Sequence, residues 1–339
     1  MKKLNINFCI DRSLLFTTTI LRSSVLNLAN QHLQINGSWG RATAALYSDI
    51  RTCKVILGGG AVPAAPLESD IKFYSWFAGF CDAEGNFQTT NFKRVNKKGI
   101  ITSIGLKYSF HIGLHLRDKN LLEFIQTKLN NMGKIYEYPK KEEAHLAIYK
   151  VEDLKWLIEN IFSKFPLLSD HQALRYEQLR IGITNNLKRL DSLDDLHTIL
   201  IDKEKFITPL CGYPAEFLKC SMLTTVKDLD PVYIKNWTCG FLNGEVSFTN
   251  GTNNNIKFPR INLEHTDEKV IKLIKNTLSL ELNTYTRTRD HRKTTYSISI
   301  SSKKDIQNTV KFLDNLNNLR GYKLKQYNNW KEEFNLNIA

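Results

Sequence analysis

The sequence predicts an α+β protein of two pseudo-symmetric halves, each a four-stranded antiparallel sheet with its helices packed on one face. Three observations lead there. A tryptophan-centred segment occurs twice, and each copy is followed by the same succession of strand and helix patterns. Within those strands apolar and polar residues alternate, so one face of each sheet is suited to helices and the other to solvent or a polar partner.

Lys72–Phe87 (KFYSWFAGFCDAEGNF) and Ile234–Phe248 (IKNWTCGFLNGEVSF) match at Trp76/Trp237, Gly79/Gly240, Phe80/Phe241, Glu84/Glu245 and Phe87/Phe248, at a constant offset of 161 residues. Each copy reads as a helix. Phe73, Trp76, Phe77 and Phe80 follow the i, i+3, i+4, i+7 spacing of an apolar stripe. Ser75, Gly79 and Ala83 recur every four residues on another face, as do Gly240 and Gly244 in the second copy. A glycine inside a helix costs about 1 kcal/mol in propensity, and close approach of two helix backbones offsets that cost.

Glu84 and Glu245 fall at the C-terminal ends of these helices, where the macrodipole disfavours a negative charge by roughly 0.3–1 kcal/mol. If the two helices pack through their small faces, both carboxylates meet at one end. Such a pair repels unless a proton or a divalent cation lies between.

The elements after each copy repeat too. In the first half Asn86–Arg94 pairs as a hairpin with Gly105–Leu116, through a connection containing Lys97–Gly99. Lys119–Met132 is a helix, Gly133–Tyr138 and His145–Lys150 are strands, and Glu152–Phe162 is a second helix. In the second half strands are expected near Val246–Thr249, Pro259–His265, Asn283–Arg289 and Thr295–Ser301, with helices at Asp267–Leu280 and Lys303–Leu316. The domain organisation that follows is a leader or linker over 1–70, halves over 71–190 and 230–339, and an inter-repeat linker over 191–229.

Alternation assigns the faces. With Phe87 and Leu106 to Leu114 turned to the helices, the opposite face carries Gln88, Thr90, Arg94, Lys107, Ser109, His111, Tyr136, Tyr138 and Tyr149. Its counterpart carries Arg260, Asn262, Glu264, Tyr285, Arg287, Arg289, Ser297, Ser299 and Ser301. A twisted two-stranded ribbon enters a major groove, where such donors and acceptors meet base edges and phosphates.

Charge agrees with that face. The 339 residues carry 47 Lys+Arg against 34 Asp+Glu, a formal net charge of +13. The first seventy hold 7 basic and 4 acidic residues, which leaves 40 and 30 for the remaining 269, so the excess belongs to the body of the chain. A spread-out positive balance suits a polyanion, nucleic acid before membrane. No apolar run reaches the ~18 residues needed to cross a bilayer.

The six cysteines are scattered without a CxxC pair, against a zinc site and for a reducing compartment. His111 and His115 lie in a strand pattern, roughly 13 Å apart along one face, and cannot share a metal. Up to Tyr47, five basic residues stand against the single acid Asp11, as in an organelle transit peptide or an uncleaved leader of an organelle-encoded frame. Gly58–Pro66 (GGGAVPAAP) reads as a linker.

Phe77–Gly85 (FAGFCDAEG) resembles the LAGLIDADG signature, and Thr238–Val246 (TCGFLNGEV) resembles a degenerate second copy. The resemblance runs from about Ile71 to Trp330 and is to the monomeric two-repeat homing endonucleases encoded in organellar introns, some of which are also RNA maturases. It implies two LAGLIDADG halves, with Glu84 and Glu245 as acidic metal ligands helped by the backbone carbonyls of Ala83 and Gly244. Oxygen ligands of this kind suit Mg²⁺ or Mn²⁺ in phosphodiester hydrolysis. A basic residue after the later helix of each repeat is implied as well: His171 in the first half, Lys323 or Lys325 in the second.

The implied function is site-specific cleavage of double-stranded DNA at an intron-insertion site by a monomer, in a mitochondrion rather than a plastid. The second motif departs from the pattern. Asn243 replaces the acidic sixth residue, and Val246 replaces the closing glycine, a strained choice if that position needs φ > 0. Pro259 interrupts an expected strand. These departures keep open an RNA-binding maturase for group I intron RNA, or a cleavage-inactive ribonucleoprotein component.

Overall fold

The computed structural model describes residues 68–190 and 230–336, except 289, 291 and 292. The first half runs α1 (Glu68–Glu84), β1 (Gly85–Val95), β2 (Ile101–His115), α2 (Lys119–Lys128), β3 (Lys134–Tyr138) and β4 (Glu143–Ile148). It continues with α3 (Val151–Leu157), extended by a π turn over Ile158–Phe162, then α4 (Asp170–Thr184) and β5 (Arg189–Leu190). The second half runs α5 (Pro231–Glu245), β6 (Ser247–Asn253), β7 (Ile256–His265), α6 (Glu268–Thr277), β8 (Tyr285–Arg287), β9 (Thr295–Ile300), α7 (Lys303–Leu316) and α8 (Gly321–Glu333).

Both sheets are antiparallel and share one order, β1-β2-β4-β3 and β6-β7-β9-β8. Three local differences from the sequence expectation have physical causes. The two-residue β5 adds to β2 at Ile104 and Gly105, where β4 no longer covers that edge. Leu116 leaves the strand and begins a 3₁₀ turn, Leu116–Asp118. Pro259 does not break β7, because it pairs with Asn250 of β6 at the end of the strand where β9, which joins only at Ile261, is absent. With a neighbour on one side only, the missing N–H faces no ladder partner.

Each sheet buries one face under aromatic residues at matching positions. Phe87 packs on Phe110, Phe162 and Tyr176. Its counterpart Phe248 packs on Tyr327 and Trp330. The apolar stripe of α1 is buried throughout, with Trp76 and Phe77 fully enclosed.

The small faces of α1 and α5 meet at the centre. A Cβ added to Gly79 would collide with the Trp237 carbonyl, and one at Gly240 with the Trp76 carbonyl, so the contact is reciprocal and backbone to backbone. At Gly244 an added Cβ would come within 2.6 Å of the Ala83 Cβ. Only glycine lets the helices approach this closely. Trp76–Phe80 and Trp237–Phe241 stack at 5.0 and 5.2 Å on either side, a further mark of the pseudo-two-fold.

The last helix of each half starts without a side-chain cap from its own N-cap residue. Orphan amides at a helix start need acceptors, and the other half supplies them. Asp267 accepts from the Asp170 N–H at 3.0 Å, and Asp118 accepts from the Tyr322 N–H at 2.6 Å. Lys269 then pairs with Asp170 at 2.8 Å.

Candidate active site

Glu84 and Glu245 are the final residues of α1 and α5, brought to the same end of the helix pair by the glycine contact. Both are half-buried. Burial raises the Glu84 carboxyl, offset by Lys323 and reinforced by Asp118. Burial and the charge of Glu84 push Glu245 up to about 7, again offset by Lys323. Burial lowers Lys323, against the pull of Glu84, Glu245 and Asp118. Two carboxylates and one ammonium thus share a partly desolvated place with a deficit of positive charge. Lys323 donates to the Val246 carbonyl at 2.5 Å, which fixes the ammonium beside both acids.

A cavity of about 600 Å³ opens beside Glu84 and Lys323, lined also by Gly244, Arg117, Asp118 and His145 among others, and Glu245 is not part of its lining. Among the described residues no three His, Cys, Asp or Glu side chains cluster so as to hold a metal by themselves. The donor set is two carboxylates and the last carbonyls of two helices, which lack intrahelical partners. Such a set fits a hard divalent ion of the Mg²⁺ kind, which keeps waters and takes further oxygens from a phosphate.

The sixth residue of each motif has a structural place. Asp82 is buried and accepts from the Leu168 N–H at 2.7 Å, the Ser169 N–H at 3.1 Å and hydroxyl at 2.7 Å, and Trp237 Nε1 at 2.8 Å. Burial still pushes its carboxyl up to about 7. Asn243 does the matching work in the second half, accepting from the Arg320 N–H at 2.6 Å at the start of α8. A neutral amide oxygen suffices there. Its NH₂ group cannot accept from Trp76, whose Nε1 is buried without a partner among the described residues. Val246 takes extended angles, φ −72° and ψ 144°, and is buried, so the strain anticipated for a β-branched residue there does not arise.

The basic residues expected from the sequence separate. Lys323 lies at the acids, whereas Lys325 and His171 are exposed on their helices. The first-half residue in the place of Lys323 is Gln172, which the sequence reading passes over. It donates through Nε2 to the Gly85 carbonyl at 2.5 Å, as Lys323 does to Val246. The signal was present: aligning α4 with α8 through Tyr176 and Tyr327 puts Gln172 over Lys323.

Strand register puts Gln88, Thr90, Arg94, Lys107, Ser109, His111, Tyr136 and Tyr138 on one face of the first sheet, away from the core. Tyr149 follows β4 and meets His111 edge-on at 5.1 Å. Arg260, Asn262, Glu264, Tyr285, Arg287, Ser297 and Ser299 share the matching face of the second sheet. Ser301 lies just beyond β9, and Arg289 lies outside the described residues. Asn262 is tied to Thr249 at 3.0 Å and to Ser299 at 2.8 Å. Alternation alone did not single out Phe92 and Phe258. Each ring lies across a glycine of the neighbouring strand, Gly105 and Gly251, where a Cβ would strike it. Lys107 sits 4.9 Å from the Phe92 ring centre and Arg260 5.1 Å from that of Phe258.

The family model described as "LAGLIDADG endonuclease" matches residues 77–181 and 238–334, once in each half and over more than half of the chain. The chain belongs to the LAGLIDADG endonuclease family. The solved LAGLIDADG homing endonuclease I-LtrWI bound to target DNA superposes with a TM-score of 0.59 at 20% identity, over 78% of this chain and 91% of that one. The complex of I-GzeII with its DNA target gives 0.56 at 20%, over 76% and 88%. At these identities the likeness is one of fold.

Two curated relatives are fungal. The Saccharomyces cerevisiae protein named "Uncharacterized mitochondrial protein RF1" is 31% identical over 125 residues, 36% of this chain and 23% of that one. The Schizosaccharomyces pombe protein named "Probable intron-encoded endonuclease Cox1-I1b" is 27% identical over 191 residues, 53% of this chain and 42% of that one. The LAGLIDADG chain described here spans less than half the length of either relative.

Proposed function

We propose that this protein is a mitochondrial homing endonuclease that cuts both strands of a DNA duplex at an intron-insertion site, acting as a monomer. The observation that carries the proposal is the convergence of Glu84 and Glu245, from two halves, on one partly buried place with a deficit of positive charge. In support, the two departures that weakened the second motif are structurally benign: Asn243 performs the helix-holding work of Asp82, and Val246 is unstrained.

In this reading Glu84, Glu245 and the carbonyls of Ala83 and Gly244 hold Mg²⁺ or Mn²⁺. A bound ion of this kind lowers the pKa of water and offsets charge on a phosphate. The residues themselves do the rest. Lys323 presents its ammonium to the phosphate oxygens and stabilises charge that grows as the bridging P–O bond breaks. The polar sheet faces, with Lys107, Arg94, Arg260 and Arg287, straddle the duplex and set its register.

The test uses a duplex carrying the fused exon sequence that flanks the reading frame. Wild-type protein with Mg²⁺ should cut it, while E84Q and E245Q should bind it with unchanged affinity and lose cutting by at least about 100-fold, the scale of removing one stabilising group. The substitution keeps shape and hydrogen bonding but removes the ligand charge. Tight binding without cutting in Mg²⁺ or Mn²⁺ would overturn the assignment and direct attention to group I intron RNA.

A further inference from the structure

The sheet face turned away from the core is mostly polar, yet each half sets a phenylalanine into it. Phe92 shares that face with Gln88, Thr90 and Arg94 of β1, and Phe258 shares it with Arg260 and Asn262 of β7, by the two-residue period of a strand. Phe92 is paired with Gly105 across the ladder, and Phe258 with Gly251. A Cβ on either glycine would lie 2.2 Å from the ring, so each ring is laid across its neighbouring strand where glycine leaves it room. Both rings are half-buried. Cations flank them: Lys107 at 4.9 Å and Arg94 at 5.4 Å from the Phe92 ring centre, and Arg260 at 5.1 Å from that of Phe258.

The two arrangements do not occupy matching positions. Counted from the equivalent residues Phe87 and Phe248, the Phe92–Gly105 pair lies five residues along β1 (92 − 87), and the Gly251–Phe258 pair three along β6 (251 − 248). The ring also comes from the first strand of one hairpin and the second strand of the other. A device that the repeat does not carry over, yet stands in both halves, answers to something that both faces meet.

An apolar ring finds few partners on a polyanion. Base edges in the major groove show donors and acceptors, and the apolar group among them is the C5 methyl of thymine. Cations beside the ring suit the phosphates and base acceptors around such a methyl. We infer that Phe92 and Phe258 each pack on the methyl of one thymine in the major groove, so that each half-site carries a thymine the protein selects. The Phe92–Gly105 pair is two residues further along its ribbon, roughly 7 Å at ~3.4 Å per residue. Its thymine therefore lies about two base pairs further from the centre of the target, at ~3.4 Å per base pair. This rests on the duplex-binding part of the reading above, and not on cleavage.

The experiment replaces each thymine of the fused-exon duplex in turn by deoxyuridine, which removes the methyl and keeps every hydrogen-bonding atom. Affinity is measured by fluorescence anisotropy in Ca²⁺. Wild type should lose about fourfold at one thymine in each half-site, the scale of one buried methyl. F92A should bind more weakly and no longer distinguish thymine from deoxyuridine at the outer of the two positions, while keeping the distinction at the inner one. F258A should do the reverse.

Equal affinity of wild type for the parent and every deoxyuridine duplex would overturn the inference. So would a folded F92A or F258A that keeps both distinctions, because rings that only cover glycine backbone predict a lower melting temperature and no dependence on a methyl. If neither variant folds, the wild-type scan decides: sensitive thymines at equal distances from the centre, or in one half-site alone, contradict it. Binding without cutting in Mg²⁺ removes the nuclease reading and leaves this inference standing, whereas no binding to the duplex removes both.

Discussion

Glu245 ionises in a place that disfavours charge, and this has a measurable consequence for stability. Its folded-state pKa of about 7 lies above the ordinary 4.5, so between these values the folded protein holds more protons than the unfolded one. Stability therefore falls as pH rises from about 4.5 through 7, and the full penalty is present above that. In EDTA, E245Q should be more stable than wild type at pH 8 by about 1–3 kcal/mol, on the scale of one to two pKa units in a partly buried site, with the gain absent at pH 4.5. Thermal melts at the two pH values check this; an equal gain at both would show that charge is not the cause. Asp82 has the same sign and remains in the variant, so E245Q retains part of the slope.

At this scale the glutamates were legible in the sequence, because a carboxylate ending a helix is locally unfavourable and occurs twice in register. Gln172 was not. Nothing in its own neighbourhood marks it; the adjacent His171 carries the more conspicuous side chain, and only pairing Tyr176 with Tyr327 reveals the equivalence.

The element that matters most is the α1–α5 pair. Gly79 and Gly240 each face the backbone of the opposite helix, so a methyl group at either has no flexible side chain to displace. G79A or G240A should destabilise the protein by about 3 kcal/mol, the upper end for overpacking, and should lower cutting more than duplex binding because the carboxylates are carried apart. Denaturant midpoints together with cleavage rates measure both effects. A variant with unchanged stability would mean that the helices do not meet through these residues.

The four strands of each half and their antiparallel sheet were legible from alternation and spacing, but the order in which the strands pair was not, nor were the helices α4 and α8. What alternation could not supply was tertiary context. Pro259 is harmless because β9 joins β7 only after it, β5 exists because an edge of β2 is open, and Val246 is extended rather than left-handed. Each depends on neighbours distant in the chain.

Each half turns a polar and basic sheet face away from its core, and the halves cap one another's last helices through Asp118 and Asp267. Binding to duplex DNA should weaken steeply with salt, the slope of log K against log[salt] being about −0.9 for each phosphate neutralised. K107A and R287A, each exposed on its half's face, should each reduce the slope by about 1 without lowering the melting temperature. An unchanged slope in both would move the DNA to another surface.

In the proposed endonuclease, Glu84 and Glu245 from the two halves jointly hold divalent ions at the junction of α1 and α5. Titrating Mn²⁺ into the protein–DNA complex while following the free ion by electron paramagnetic resonance measures this. Wild type should take up Mn²⁺ that E84Q and E245Q each fail to take up in part, and the double variant E84Q/E245Q should lose that uptake altogether while still holding DNA. Mn²⁺ uptake in the double variant equal to that of wild type would contradict it.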